Sequence, residues 1–595
     1  MKRQSLATTL VLALLLGTSG VIHTTEAANA PEAASPAAGS ADARLKALYE
    51  AEWAWRTKEF GLEDDDGSRG ANLPRVDPAS QKRREAYWAN MLKQLDAIPL
   101  DQLSPEERIN AEVFRTALEG FLIEQRFREY ENPFGFWIWI APRHGYGTVE
   151  EYRNYIGRLR DMPRYIDEQI ANMRAGLKRG FTNPRVSLAG RDAPIAPLAQ
   201  AEVEKNPLYT AFSLMPSNIP ASERDPLIAE GRAAIAAAAK AFEKLHRFVR
   251  DEYIPNARTT TAAEDLPDGK AYYAAKLRQY TTTDLTAEQI HAIGLKEVAR
   301  IKADMEATMK ESGWTGDFKG FLHFLKTDPQ FYAKTPYELL AKSAYVANKI
   351  NGQLKYMFGL LPRYRFTIRP TPDNIAPFAT GGNGGLESCL MNTYNLPARP
   401  LYTIPPLTAH ECAPGHSFQA ALALEGPNRP EIRKHTYFSG YGEGWALYME
   451  WLGKEMGIYE TPYDEFGRQT YEMWRAARLV VDTGLHHMGW TREQAIEYMA
   501  SHTALSDLEV TLEVERYMNS PGQANAYKLG ELLIRRKRAE AEQALGAKFD
   551  QRWFHDTILN LGSVPLSTLE RVLDEWIARG GPNPHADTAK ACDCK

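Results

Sequence analysis

From Ala43 onward the apolar residues recur at helical spacing, and Leu45, Leu48, Tyr49, Trp53 and Trp55 fall on one buried stripe. Two further helices are expected over residues 80–97 and 105–125. The run Pro133-Phe134-Gly135-Phe136-Trp137-Ile138-Trp139-Ile140 interrupts this period with aromatics, which line a cleft or, more commonly, fill a core. Helical spacing returns over 148–179. The stretch Ile228 to Tyr253 is alanine-rich, a good helix former, and carries Ile235, Phe242, Leu245 and Val249 at helical intervals. No repeat period emerges.

A Thr/Ala/Asp/Pro-rich linker near residue 260 precedes Gly269 to Leu277, and Thr283-Asp284-Leu285-Thr286 with Glu288 marks a helix start. Past about residue 360 the pattern changes. Tyr364 to Arg369 alternates as a strand that Pro370 closes, Gly381 to Gly385 is a turn, and Leu386 to Tyr394 is a second strand. An edge strand at that place can pair with an extended peptide, whereas an internal strand cannot. The expected fold is mainly α and two-lobed, with a small β-sheet near an active-site cleft. Residues 31–260 form an N-terminal helical lobe, 261–585 a catalytic lobe and 586–595 a polar tail.

Composition narrows the function classes. A hydrophobic fraction of 44%, a charged fraction of 25% and a net charge of −5 leave no electrostatic footprint for nucleic acid. Lys2 and Arg3 precede the apolar run Leu10 to Leu16, and Ala28-Asn29-Ala30 offers small residues for cleavage, so residues 1–30 read as a secretory signal cut after Ala30. The mature chain is then periplasmic or extracellular, with a flexible leader over 31–42. No cysteine stands near the cut to carry a lipid, and no later apolar run is long enough to span a bilayer. The four cysteines are too few for a disulfide scaffold. Cys389 and Cys412 either bridge or are two buried thiols; Cys592 and Cys594 sit in the polar tail, outside the fold.

The chemistry gathers at His410-Glu411-Cys412-Ala413-Pro414-Gly415-His416. In an H-E-x-x-H motif, histidines four apart share a helix face and bind a metal, while the glutamate takes the proton of the attacking water. Here the second histidine comes six positions after the first, a rotation of roughly 240°, so a regular helix would point the imidazoles apart. Pro414 and Gly415 supply a break, and a two-residue bulge is expected to return His416 to His410. A third ligand must come from another element. Glu443 and Glu450, seven apart in Gly440 to Glu450, share one helix face. Glu443 is the candidate ligand and Glu450 the orienter of a histidine, unless the two are an ordinary carboxylate pair.

HECAPGHSFQ at 410–419, GYGEGWALYME at 440–450, WRAARLVVDTGLHHMGWTREQAIEYM at 474–499 and PGQANAYKLG at 521–530 closely resemble, in the same order, the bacterial family known as domain of unknown function 885. That family is similar in turn to the helical zinc metallopeptidases of the thimet oligopeptidase, carboxypeptidase Taq and angiotensin-converting enzyme type. The resemblance implies that His410, His416 and Glu443 bind one Zn2+, with Glu411 as base; the donor set would also accept Co2+ or Mn2+.

The later blocks add candidates. Asp482 and His486, four apart on a helix with Arg475 and Arg478, either orient a ligating histidine or form a buried ion pair. Tyr527, with Tyr517 in reserve, is the candidate donor to an oxyanion. Arg516 or Lys528 would hold a substrate carboxylate, with Gln523 and Asn392 as further substrate contacts. The expectation is an exported zinc metallopeptidase acting on short peptides as a carboxypeptidase, dipeptidase or oligopeptidase. A metal-dependent hydrolase of another amide or ester, and an inactive binder of peptides or cell-wall fragments, are the alternatives.

Overall fold

The computed structural model describes residues 39–61, 70–142, 144–373, 375–426 and 429–586. The expected signal peptide, the leader up to residue 38, and the tail from 587 with Cys592 and Cys594 lie outside the described residues. Among the described residues, those up to Thr261, with Asp265–Asp268, form one compact unit; Ala262–Glu264 and those from Gly269 onward form a second.

The first unit is helical. Its helices α1 (Ala41–Glu59), α2 (Pro78–Asp96) and α3 (Pro105–Arg126) start where side chains satisfy the first free backbone N–H groups, at Ser40, Asp77 and Ser104. Proline occupies the first position of α2 and α3, where no intrahelical donor is lost. Leu45, Leu48, Tyr49 and Trp53 are buried as the spacing requires, while Trp55 is half-buried and stacks on Tyr87 at 3.7 Å. Helix α4 (Val149–Arg179) opens on a Thr148/Glu151 capping box and packs with α5 (Ala221–Phe248) over a core that holds Ile235, Phe242 and Leu245. Phe136 and Trp137 of the aromatic run belong to that core.

The second unit begins with α6 (Gly269–Thr281), α7 (Ala287–Glu311) and α8 (Pro336–Met357). The capping box of α7 joins Thr286 to Gln289 rather than to Glu288, because the partner that reaches back to the cap stands at the third helical position. A three-stranded sheet follows: β1 (Thr367–Pro370), β2 (Gly382–Gly384) and β3 (Ser388–Met391), in the order β1-β3-β2. β3 runs parallel to β1 and antiparallel to β2. Two expectations change here. The strand nearest the metal motif, β3, is central; and the glycine stretch expected as a turn is itself the edge strand β2.

Five further helices build the site: α9 (Ile404–Glu411), α10 (His416–Glu425), α11 (Ser439–Leu452), α12 (Pro462–His486) and α14 (Ala526–Leu545); α13 (Asp507–Asn519) lies before the last. α12 is buried on every side from Phe466 to His486, so each of its charged residues must find a partner inside the protein. α11 and α14 cross with almost no side chain between them. A Cβ on Gly530 would lie 1.9 Å from the carbonyl oxygen of Gly440, so only glycine allows this approach. The crossing sets Glu443 of α11 and Tyr527 of α14 around one centre. Among the described residues no helix is long and apolar enough to cross a membrane.

Candidate metal centre

The extra two residues of the motif are accommodated by two helices rather than by a bulge within one. α9 stops at Glu411, the chain turns through Cys412 to Gly415 with a cis Ala413–Pro414 peptide, and α10 starts at His416. The turn is tight against the helix it leaves: a Cβ on Gly415 would fall 1.8 Å from the His410 carbonyl oxygen. It is also pinned from outside. Trp445 Nε1 donates to the Pro414 carbonyl at 2.9 Å, Ser417 Oγ donates to the Glu411 carbonyl at 3.0 Å, and Cys412 is disulfide-bonded to Cys389 of β3.

The turn brings the two imidazoles edge to face with centroids 4.9 Å apart. Glu443 Oε2 lies 3.6 Å from His410 Nε2 and 3.3 Å from His416 Nε2, and the three ligand atoms all lie within 4.8 Å of one another. Zinc ligands at about 2.0–2.1 Å in a tetrahedron stand about 3.3 Å from each other. Two nitrogens and a carboxylate oxygen at this spacing therefore fit such an ion, as their chemistry does.

His410 is oriented from behind. Its Nδ1 is 2.7 Å from Glu450 Oε1, which Arg475 Nη2 approaches at 3.1 Å. A proton on Nδ1 leaves the Nε2 lone pair facing Glu443, the tautomer a ligand needs. The electrostatics favour positive charge. Burial of the His410 ring works to lower its pKa, but hydrogen bonds to Glu443 and Glu450 prevail and raise it to about 9. Burial likewise works to raise Glu443, yet the facing His416 and His410 hold it well below the usual carboxylate range.

Glu411 sits beside this cluster with Oε2 held by the Gly384 N–H of the edge strand at 2.8 Å, so its other oxygen is free of that bond. Tyr527 lies near the His410 ring, with centroids 6.4 Å apart and planes 14° from parallel, and the Arg478 guanidinium lies 4.4 Å from the Tyr527 ring centre. Burial and then Glu443 raise the Tyr527 hydroxyl pKa, which keeps it a donor at neutral pH. Tyr437 was not among the sequence candidates, yet its hydroxyl is 3.4 Å from Glu443 Oε1. It stands in a loop before α11, where no periodic pattern singles it out.

Other candidates are placed elsewhere. Asp482 orients no cluster histidine: it accepts from the Tyr273 hydroxyl at 2.7 Å, from Asn525 Nδ2 at 2.8 Å and from the Gly522 N–H. His486 accepts from the Ala263 N–H at 2.9 Å and reaches the Tyr517 carbonyl at 3.0 Å. Asp482 thus anchors the loop that leads into α14, and His486 ties α12 to the Ala263 segment and to α13. Tyr517 takes the Trp474 indole N–H and the Arg478 Nε–H, each at 3.0 Å, and so supports Arg478 rather than an oxyanion. Lys528 follows Tyr527 by about 100° of helix, which turns it away into a buried set with Glu472 at 3.0 Å and Glu531 at 2.8 Å. Arg516 is paired with Glu513 and with Gln523 Oε1, at 3.1 and 2.8 Å. Asn392 gives its amide to the carbonyls of Ala376, Ala379 and Thr380, and thereby braces the segment before β2.

The fold and centre define a mainly α-helical protein built around a buried His–His–Glu cluster with a second glutamate beside it. The chain belongs to the family described as "Bacterial protein of unknown function (DUF885)", whose model matches residues 56–573. It is similar to the crystal structure of a "putative lipoprotein" from Colwellia psychrerythraea, with 27% identity, 91% of this chain and 100% of that one covered, and a TM-score of 0.78. A "putative lipoprotein of unknown function" from Shewanella oneidensis shares the fold at 18% identity and a TM-score of 0.64, over 90% of this chain and 100% of that one. No curated protein matches the chain.

Proposed function

We propose that this protein is an exported metal-dependent peptidase in which His410, His416 and Glu443 hold a divalent cation, zinc by the chemistry of the donors. The observation that carries the reading is the backed histidine: an imidazole held on one nitrogen by Glu450, itself held by Arg475, with the other nitrogen turned to a carboxylate and a second imidazole. A structural ion pair needs no such relay. Zinc, when bound, supplies Lewis acidity at the carbonyl to be cleaved and makes water acidic, with a pKa of about 7.

The protein's own groups do the rest. Glu411, held at one oxygen by the Gly384 N–H, accepts the proton of the attacking water on the other oxygen and returns it to the leaving amine. Tyr527 donates its hydroxyl proton in a hydrogen bond to the developing oxyanion, and Arg478 beneath the ring favours negative charge there. Export is supported by the N-terminal pattern of a short basic segment, an apolar run and small residues, by the Cys389–Cys412 bridge, which suits an oxidising compartment, and by the description of the Colwellia relative as a lipoprotein.

The test is metal analysis of the purified protein together with mass-spectrometric cleavage mapping of a mixed peptide pool. One metal per chain, cleavage abolished by chelation and restored by zinc, and a Glu411→Gln variant that binds metal without turnover are expected. Turnover that survives chelation refutes the proposal.

A further inference from the structure

The Glu443 carboxylate is divided between two neighbourhoods. Oε2 faces His410 Nε2 at 3.6 Å and His416 Nε2 at 3.3 Å, whereas Oε1 accepts a hydrogen bond from the Tyr437 hydroxyl at 3.4 Å. The start of α11 puts that hydroxyl in place. Tyr437 precedes Phe438, the cap of the helix, and the Phe438 N–H is tied to Ser563 Oγ at 2.8 Å. A residue just before the cap commonly packs onto the fourth helical residue, which here is Gly442. A Cβ on Gly442 would lie 2.3 Å from the Tyr437 hydroxyl oxygen and 2.4 and 2.5 Å from two of its ring carbons, so only glycine leaves the helix surface bare enough for the ring. The ring thereby reaches one residue further, to Glu443. Tyr437 is 39% exposed and Glu443 only 5%, so a side chain open to solvent spends its hydroxyl on a buried carboxylate.

We infer that Tyr437 is a positioning residue for the metal centre: it engages Oε1 so that Glu443 offers a divalent cation the single oxygen Oε2, and one coordination position stays open. The inference rests on the metal-binding half of the proposed function and not on a peptide as substrate. A carboxylate can hold a cation through one oxygen or through both. With both, three protein residues fill all the positions of a tetrahedral site and close it; a catalytic site keeps one for water or for the substrate oxygen. A hydrogen bond from Tyr437 holds Oε1 on the side away from the two imidazoles and so decides between the two modes. The support is then matched across the centre. Glu450 stands behind His410 and fixes which nitrogen it presents; Tyr437 stands behind Glu443 and fixes which oxygen it presents.

The experiment compares wild type with Tyr437→Phe, which removes the hydroxyl and keeps the ring. Metal-free protein is loaded with Co2+, whose visible absorption is intense in a four-coordinate site and weakens as the coordination number rises. Urea unfolding of the metal-free proteins and turnover of a peptide that the wild type cleaves are measured alongside. In Tyr437→Phe the cobalt absorption is expected to lose intensity while the metal-free unfolding midpoint stays where it was. Turnover is expected to fall by about 10-fold or more through kcat, with KM little changed. Gly442→Ala, which displaces the ring but leaves the hydroxyl, should reproduce the spectral change. A wild-type cobalt spectrum in Tyr437→Phe overturns the role even if turnover falls, and a lower metal-free midpoint with that spectrum assigns Tyr437 to the fold instead. If wild type binds Co2+ but cleaves nothing, a spectral change in the variant keeps the role and sinks the peptidase. If wild type binds no Co2+, the metal centre and the role fall together.

Discussion

Replacing Glu450 by glutamine tests whether the buried relay exists to serve a metal. The side chain is 1% exposed, touches His410 Nδ1 at 2.7 Å and receives Arg475 at 3.1 Å. Glutamine keeps the shape and an oxygen to accept the imidazole N–H, but removes the charge that makes the ring a stronger ligand. Loss of such a supporting carboxylate weakens metal binding by about 10- to 100-fold, or about 1.4–2.7 kcal/mol. The same number reappears in stability, because a ligand at fixed excess stabilises the folded state by an amount that grows with the logarithm of its affinity. A 30-fold weaker site therefore forfeits about 2 kcal/mol of zinc-dependent stability.

The metal-free protein behaves differently. There Glu450→Gln leaves Arg475 buried with its carboxylate partner gone, and breaking a buried pair costs about 3–5 kcal/mol. The assay is zinc affinity by competition with a chelator, combined with urea unfolding with and without zinc. The expectation is weaker zinc affinity and lower stability in both states. An affinity within two-fold of wild type in a folded Glu450→Gln protein refutes the idea that Glu450 tunes a ligand, and leaves it as a plain ion-pair partner.

Three more outcomes follow from the geometry. Cys389→Ser with Cys412→Ser opens a loop closed over a separation of 23 residues, which costs about 3 kcal/mol in unfolding free energy by chain entropy, read by denaturant titration against the oxidised parent. Tyr527→Phe lowers kcat by about 100-fold or more with KM little changed, if its hydroxyl serves the transition state. Tyr517→Phe instead lowers stability, since it strips Trp474 and Arg478 of an acceptor; reversal of the two effects in steady-state kinetics would refute the assignment. His555 is fully buried, with Nδ1 at 2.7 Å from the Met357 carbonyl and Nε2 at 2.8 Å from the Tyr448 hydroxyl, and burial pushes its pKa down to about 3. The unfolded chain binds that proton near pH 6.5 and the folded chain does not. Stability attributable to it is thus complete above about pH 6.5 and is lost at about 1.4 kcal/mol per pH unit on the way down to about 3. His555→Asn should flatten that part of the stability–pH curve relative to wild type; parallel curves would refute it.

What could be read from sequence divides by the range of the interaction that decides it. α1, α2 and α3 begin within a few residues of their expected places because caps and prolines are local signals. His410 and His416 could be named because their motif is contiguous in sequence, and Glu443 and Glu450 because they stand seven apart on one helix. The strand β2 leaves no local signal, because its residues, Gly382 to Gly384, carry no alternation; their pairing with β3 is a tertiary fact. The places of Lys528, Asp482 and Tyr437 are set by tertiary packing for a matching cause. Lys528 stands one residue from Tyr527, and only the packing of α14 against α12 decides which of the two faces the cluster and which faces Glu472.

The motif itself shows how far a local rule reaches. An angle of roughly 240° between His410 and His416 forbids a shared site on one helix, so a break had to exist between them. That step needs only helix geometry. The form of the break needs the rest of the chain: the Cys389 bridge from the sheet, the Trp445 indole from α11 and the space that Gly415 leaves beside the His410 carbonyl all act on four residues between two helices. A bulge inside a continuous helix would have kept Glu411 within that helix. Ending α9 at Glu411 instead brings its carboxylate to the N–H of the edge strand, and the break that carries His416 back to His410 also places the glutamate that the proposed reaction uses as base.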